Sequence, residues 1–308
     1  MNSANIAWML ACSALVLIMT PGLAFFYGGL VKEKNVINTI KMSFIALGVI
    51  AIQWALFGYS LAFAPGNQWI GGLDFAFLKG VGLEAYPAYV SDMPHQVFMI
   101  FQMMFAIITP ALISGAVVGR MKFKTYILFI LLWATLVYDP LAHWVWGGGW
   151  IGAMGALDFA GGTVVHISAG ISALVAAIIL GPRKQLNDEV SDEDSPHNVP
   201  FVILGTSLLW FGWFGFNAGS ALGANQLAVL AFVNTMLSAA SATVAWVCLE
   251  MLHRGKPSAV GASIGAVVGL VTITPAAGFV TAMSALLMGI LGTIISFYGL
   301  RFFEKLKL

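Results

Sequence analysis

Between Ala142 and Gly170 the chain collects several residues able to handle charge and protons. Ala142-His143-Trp144-Val145-Trp146-Gly147-Gly148-Gly149 carries two indoles, and Asp158-Phe159-Ala160-Gly161-Gly162-Thr163-Val164-Val165-His166 adds a carboxylate, a Gly-Gly pair and an imidazole. From there the sequence is apolar to Leu180 without a formal charge. If that run crosses a membrane, Asp158 stands near one lipid–water boundary and His166, eight residues on, lies about 12 Å deeper at the helical rise. Ionisable groups at such depth are costly and usually mark a path for ions or protons; in a soluble core the same ring would be one hydrogen-bonded packing residue. Gly162 and Gly170 fall one turn before and after His166, so a partner helix is expected to approach closely on that face.

The elements that must hold these residues are membrane helices. Of 308 residues, 60% are hydrophobic and only 9% charged, whereas soluble domains carry about 25% charged residues. A net charge of +1 with no basic tail or patch gives no reason to expect nucleic acid. No Lys or Arg precedes Lys32, so the first apolar run lacks the basic start of a signal peptide and reads as a retained span. Cys12 and Cys248 fall near opposite membrane faces, too far apart for the roughly 7 Å Cα limit of a disulfide.

Apolar runs at about residues 6–31, 40–64, 95–119, 125–146, 162–181, 200–219, 227–249, 259–275 and 279–300 predict nine transmembrane helices in an all-α integral membrane protein. They are continuous, unlike the alternating ~10-residue segments of a membrane barrel. Lys32, Lys34 and Lys41, then Arg120, Lys122 and Lys124, Arg183 and Lys184, Arg254 and Lys256, and finally Arg301, Lys305 and Lys307 all lie on alternate connections, with Lys79 alone on the other side. The positive-inside rule therefore predicts an external N-terminus and a cytoplasmic C-terminus. The acidic run from Asp188 to Asp194 contributes little to that rule. Turn formers in 65–94 predict an ordered external cap. Residues 182–199, opening on Gly181-Pro182, read as a cytoplasmic hinge between a first five-helix half, 1–181, and a second half, 200–308. Five spans before the hinge make the second half start from the opposite side, the arithmetic of an inverted repeat with its path at midplane.

Two further stretches could line such a path. Phe98, Phe101 and Phe105 share a helical stripe, which by spacing alone fits lipid contact or core. Trp210-Phe211-Gly212-Trp213-Phe214-Gly215-Phe216-Asn217-Ala218-Gly219-Ser220 joins aromatics to a polar external end, and Trp144 and Trp146 fit interface anchors equally well. Asp-Phe-Ala-Gly-Gly-Thr-Val-Val-His at 158–166, Trp-Phe-Gly-Phe-Asn-Ala-Gly-Ser at 213–220, Ala-Phe-Phe-Tyr-Gly-Gly-Leu-Val at 24–31 and Arg-Gly-Lys-Pro-Ser at 254–258 closely resemble the ammonium transporter (Amt/Mep/Rh) family, along essentially the whole chain.

The resemblance implies a homotrimer with a narrow pore in each protomer, carrying ammonium, ammonia or methylammonium across the cytoplasmic membrane. It implies that Trp146, Ser220 and Phe105 recruit ammonium outside, that Phe105 and Phe216 are the gate rings, that His166 is the first of two pore histidines, and that Asp158 supports the site electrostatically and structurally. It further implies docking of a trimeric PII-type signalling protein on the cytoplasmic face, near Arg120–Lys124, 183–199 and Arg254–Lys256. The family's fold has eleven spans in an inverted five-plus-five repeat, with its second histidine on the tenth. A chain ending at Leu308 is therefore expected to be truncated or split. His197 and His253 are placed on the cytoplasmic side, and His95 and His143 outside, so none replaces that histidine. An ammonium sensor that binds without conducting is the alternative. An enzyme is disfavoured, since the sequence offers no metal-ligand cluster, nucleophile–base spacing or nucleotide loop, and no cofactor is expected.

Overall fold

The computed structural model describes residues 1–181 and 196–305, with the backbone alone at Glu304. Long apolar runs form helices because, in hydrocarbon, each backbone N–H and C=O must find its partner within the same segment. Helix α1 covers Ser3–Leu30 and begins where Asn2 Oδ1 accepts from Ala4 N and Asn5 N. Helices α2 (Val36–Gln53) and α3 (Tyr59–Phe63) form the second span, α4 (His95–Val117) the third, and α5 (Phe123–Trp133) with α6 (Asp139–Val145) the fourth. A short α7 (Trp150–Ala153) precedes α8 (Ser168–Leu180). Then follow α9 (Val199–Gly219), α10 (Gln226–Arg254), α11 (Ala259–Ile273) and α12 (Ala282–Lys305). Asn198, Asn225 and Ser258 cap the first turns of α9, α10 and α11 with their side-chain oxygens, as residues of these types do at helix starts.

All nine predicted runs are thus helical among the described residues, and eight are long and apolar enough to cross a membrane. The eighth run departs from expectation. Helix α11 has 15 residues, about 22 Å at the helical rise, because the chain unwinds into turns at Thr274-Pro275. Three other spans each contain a π-turn within a continuous helix. A five-residue π-turn, Trp54–Gly58, joins α2 to α3, a second, Ala134–Tyr138, joins α5 to α6, and a six-residue one, Gly162–Ile167, opens the fifth span. The first two face each other. Gln53 Nε2 donates to Asp139 Oδ2 at 2.6 Å, and the Trp54 and Tyr138 rings lie 6.1 Å apart.

At the centre, α1 and α9 run antiparallel in close contact. A Cβ on Gly205 would fall 2.2 Å from Phe26 N, and one on Gly215 2.5 Å from Leu15 Cβ, so small residues set this distance as they do between membrane helices generally. Helices α2, α4 and α8 pack on one side of this pair, and α10, α11 and α12 on the other. Arg120 turns inward to donate to the Ala116, Ala177 and Gly181 carbonyls, closing the last turn of α8. Cys12 is buried in α1 and Cys248 exposed on α10. Most of the predicted hinge, with Arg183, Lys184 and the acidic run, lies outside the described residues, as does Lys307.

Candidate functional site

The loop before α8 sets the site. Asp158 is buried, and its Oδ1 accepts from Gly161 N at 2.7 Å and Gly162 N at 2.6 Å while Oδ2 accepts from Thr163 N at 2.7 Å and Val164 N at 3.2 Å. One carboxylate thereby satisfies the free N–H groups at the start of the fifth span, where the helix dipole also favours negative charge. The turn needs Gly161, which sits at φ +112°. The same residue anchors an indole, since Trp146 Nε1 donates to the Asp158 carbonyl at 3.0 Å.

His166 follows in the first turn of the fifth span. Only Gly162 onward is helical, so the eight residues from Asp158 do not amount to 12 Å of helix. The glycine reading holds on one side only. A Cβ on Gly162 would lie 2.4 Å from Pro275 Cβ, whereas nothing approaches Gly170 within 4 Å.

A column of rings leads from Trp146 to His166. The Trp146 edge meets Phe105 at 6.0 Å and 87°, Phe105 meets Phe216 at 4.3 Å, and Phe216 stacks on His166 at 5.9 Å and 26°. Phe105 and Phe216 are each 1% exposed, so no open tube passes between them. Ser220, one turn beyond Phe216, donates its hydroxyl to the Phe216 carbonyl at 2.8 Å. With its hydrogen committed, Ser220 Oγ faces any visitor as an acceptor. Below the rings lies a narrow cavity of about 60 Å³, lined by His166, Trp213, Phe216, Val165, Leu23 and Leu209 among others. His166 Nε2 has no hydrogen-bond partner among the described residues.

The structure therefore brings together Trp146, Phe105, Phe216, Ser220, His166 and Asp158. It separates their sequence neighbours. Phe98 stacks on Tyr89 of the 65–94 segment at 4.8 Å and 5°, away from the column. Trp144 donates to the Trp69 carbonyl and joins Trp69 and Trp150 in an indole cluster. Two contributors escaped the sequence reading. Trp213 stacks on His166 at 5.4 Å and 21°, and its Nε1 donates to Thr274 Oγ1 at 2.9 Å. Its spacing of three from Phe216 was the available signal. Thr274-Pro275 gave none, because these residues matter through a fold that places Pro275 on Gly162 and its carbonyl on Phe159 N at 3.0 Å.

Apolar helices around a closed column of aromatic rings and one imidazole define a multi-pass membrane protein with a narrow internal path. The Ammonium Transporter Family model matches residues 7–308, and the chain belongs to that family. It is 53% identical over 306 residues to the ammonium transporter of Bacillus subtilis (strain 168), covering 99% of this chain and 74% of that protein. Identity to Amt1 of Archaeoglobus fulgidus is 46%, over 100% of this chain and 75% of that one. The crystal structure of Candida albicans Mep2 matches with a TM-score of 0.89 at 38% identity, covering 96% of this chain and 65% of that chain. A solved Sensor Amt Protein matches at 0.88 and 31%, covering 96% of this chain and 74% of that chain.

Proposed function

We propose that this protein carries ammonium across the cell membrane through the Trp146–His166 column, as one protomer of a homotrimer with its N-terminus outside. The observation that carries the reading is the unbroken contact from indole to gate rings to an imidazole with an unpartnered Nε2. Ammonium meets the Trp146 face by cation–π attraction and donates an N–H to Ser220 Oγ. Potassium is similar in charge and size, so this step discriminates poorly. Selection follows when ammonium hands a proton back to the water outside the gate and passes the Phe105–Phe216 contact as neutral ammonia, a choice that potassium does not have. Below the gate, His166 Nε2 is placed to accept a hydrogen bond from an N–H of the passing ammonia. Asp158 takes no part in transfer and holds Trp146 and the start of the fifth span in register. The basic end of the bundle, including Lys122, Lys124, Arg254 and Lys256, is the cytoplasmic face on which a PII-type protein docks; Arg120 is occupied with α8.

Trp146→Leu tests the recruitment step in the gene product as its own cell makes it, read by methylammonium uptake at matched expression. Loss of about 0.5–2 kcal/mol of cation–π attraction raises the half-saturating concentration roughly two- to thirtyfold while maximal flux changes less. Unchanged uptake at low concentration would remove Trp146 from the pathway.

A further inference from the structure

Helices α10 and α12 run parallel and touch through Ser241 Oγ, which donates to the Leu286 carbonyl at 2.9 Å, and through Thr293 Oγ1, which donates to the Ala242 carbonyl at 3.3 Å. Outside this seam they enclose an open groove of about 550 Å³, walled by Ser241, Val244, Ala245 and Cys248 of α10 and Ile290 and Ile294 of α12. The α10 wall runs from residue 240 to residue 249. Nine steps of rise make about 13 Å, close to the ~15 Å half-thickness of the hydrocarbon core. The groove therefore has the length of one leaflet and opens toward the end of the bundle that carries the basic residues.

One turn past the apolar walls the chemistry changes. His253, four residues after Leu249, keeps its Nδ1 on the Leu249 carbonyl at 2.9 Å, and its Nε2 faces the Tyr298 hydroxyl at 3.3 Å. Tyr298 itself follows Ile294 by four. Arg301, a turn further, lies over the Phe297 ring at 4.6 Å. The planar guanidinium itself stacks there, which leaves its N–H groups at the rim of the plane. Beside these, Arg254 is partly engaged with Glu250 at 3.8 Å, whereas Lys256 and Lys305 are exposed. An apolar slot one leaflet long thus ends in an imidazole, a phenol and a guanidinium from two different helices.

We infer that the α10–α12 groove is a site for an anionic glycerophospholipid, its acyl chain lying along Val244, Cys248 and Ile294 and its phosphate paired with the Arg301 guanidinium beside the His253–Tyr298 pair. The positive-inside charge bias alone would scatter cations over the face. Here Arg301 stands two turns past Ile294, beside the His253–Tyr298 pair that links the two helices, and its sign fixes the headgroup as anionic. By the orientation proposed above the lipid belongs to the cytoplasmic leaflet, and that clause alone rests on the functional reading. Occupancy would fasten α12 to α10 and so steady α11, whose end supports Trp213 and Gly162.

Cys248 supplies the probe, because it is exposed in the groove while Cys12 is buried. The rate of Cys248 alkylation by N-ethylmaleimide is measured on the purified protein at native length in detergent, titrated with phosphatidylglycerol or with phosphatidylcholine of the same acyl chains. Native mass spectrometry counts the lipids bound in parallel. Phosphatidylglycerol should protect Cys248 at about tenfold lower concentration, since each basic residue near a headgroup contributes about 1 kcal/mol. His253→Gln with Arg301→Gln, both at the surface, should bring the two lipids to equal potency without changing the alkylation rate in lipid-free detergent. Equal protection by both lipids in the unaltered protein, or a preference that survives the double substitution, overturns the proposal. So does a Cys248 that is protected with no lipid added, which would show that another copy or another part of the protein fills the groove.

Discussion

Asp158, in the loop before α8, and Asp139, at the start of α6, are both buried carboxylates, and they are held in opposite ways. Asp158 has more donors than oxygens, with four backbone N–H groups on its two atoms. Asp139, fully buried, accepts one bond from Gln53 on Oδ2 and leaves Oδ1 without a partner among the described residues. Where donors are in excess, the acid decides the path of the backbone, and Trp146 and His166 stand where they do because of it. Where donors are scarce, the acid clips two helices together and the chain path is set by other contacts. Burial and residue type alone would not have separated the two roles.

Substitutions should separate them sharply. Asp158→Ala leaves four buried N–H groups without acceptors, and a destabilisation of about 3–5 kcal/mol is expected, read as a lowered unfolding midpoint in detergent together with loss of methylammonium uptake. Asp158→Asn should recover little, because an amide offers one acceptor oxygen and turns its own N–H₂ toward donors; near-normal stability of that variant would break the comparison. Asp139→Ala should cost about 1–3 kcal/mol by removing the shorter of the two bonds of the Gln53 amide, which keeps only Thr135 Oγ1 at 3.3 Å, with uptake retained in whatever protein folds. The smallest effect belongs to Asp139→Asn, within about 1 kcal/mol. Its oxygen keeps the Gln53 bond, and its N–H₂ can serve Gln53 Oε1, which also lacks a partner. If Asp139→Asn abolished uptake at normal stability, Asp139 would belong to the path rather than to the frame.

Much of this architecture was legible because hydrophobic runs and alternating charge speak directly to membrane insertion. All nine runs became helices, and the ring column came from motifs carried by Trp146, Phe105, Phe216, Ser220 and His166. What stayed hidden depended on contacts between distant residues. Asp139 sits in Val-Tyr-Asp-Pro, which looks like the end of an apolar run until Gln53, 86 residues earlier, is found against it. Trp213 read as one more aromatic until its ring lay on His166. Phe98 shared a stripe with Phe105, yet the 65–94 segment claims it through Tyr89. The shortness of α11 was masked because Thr274 and Pro275 extend its apolar run without extending its helix.

The facing π-turns at Trp54–Gly58 and Ala134–Tyr138 have a consequence for how this chain can change length. A π-turn in a helix amounts to one residue inserted into regular α geometry, so deleting one residue from either turn would restore the shorter ladder and swing everything beyond it by about a quarter turn. A deletion in the second span alone would turn α3 out of register with α6, and one in the fourth span alone would turn α6 out of register with α3. Single-residue gains and losses at these two places should therefore be tolerated only as a matched pair, and family members should carry both insertions or neither.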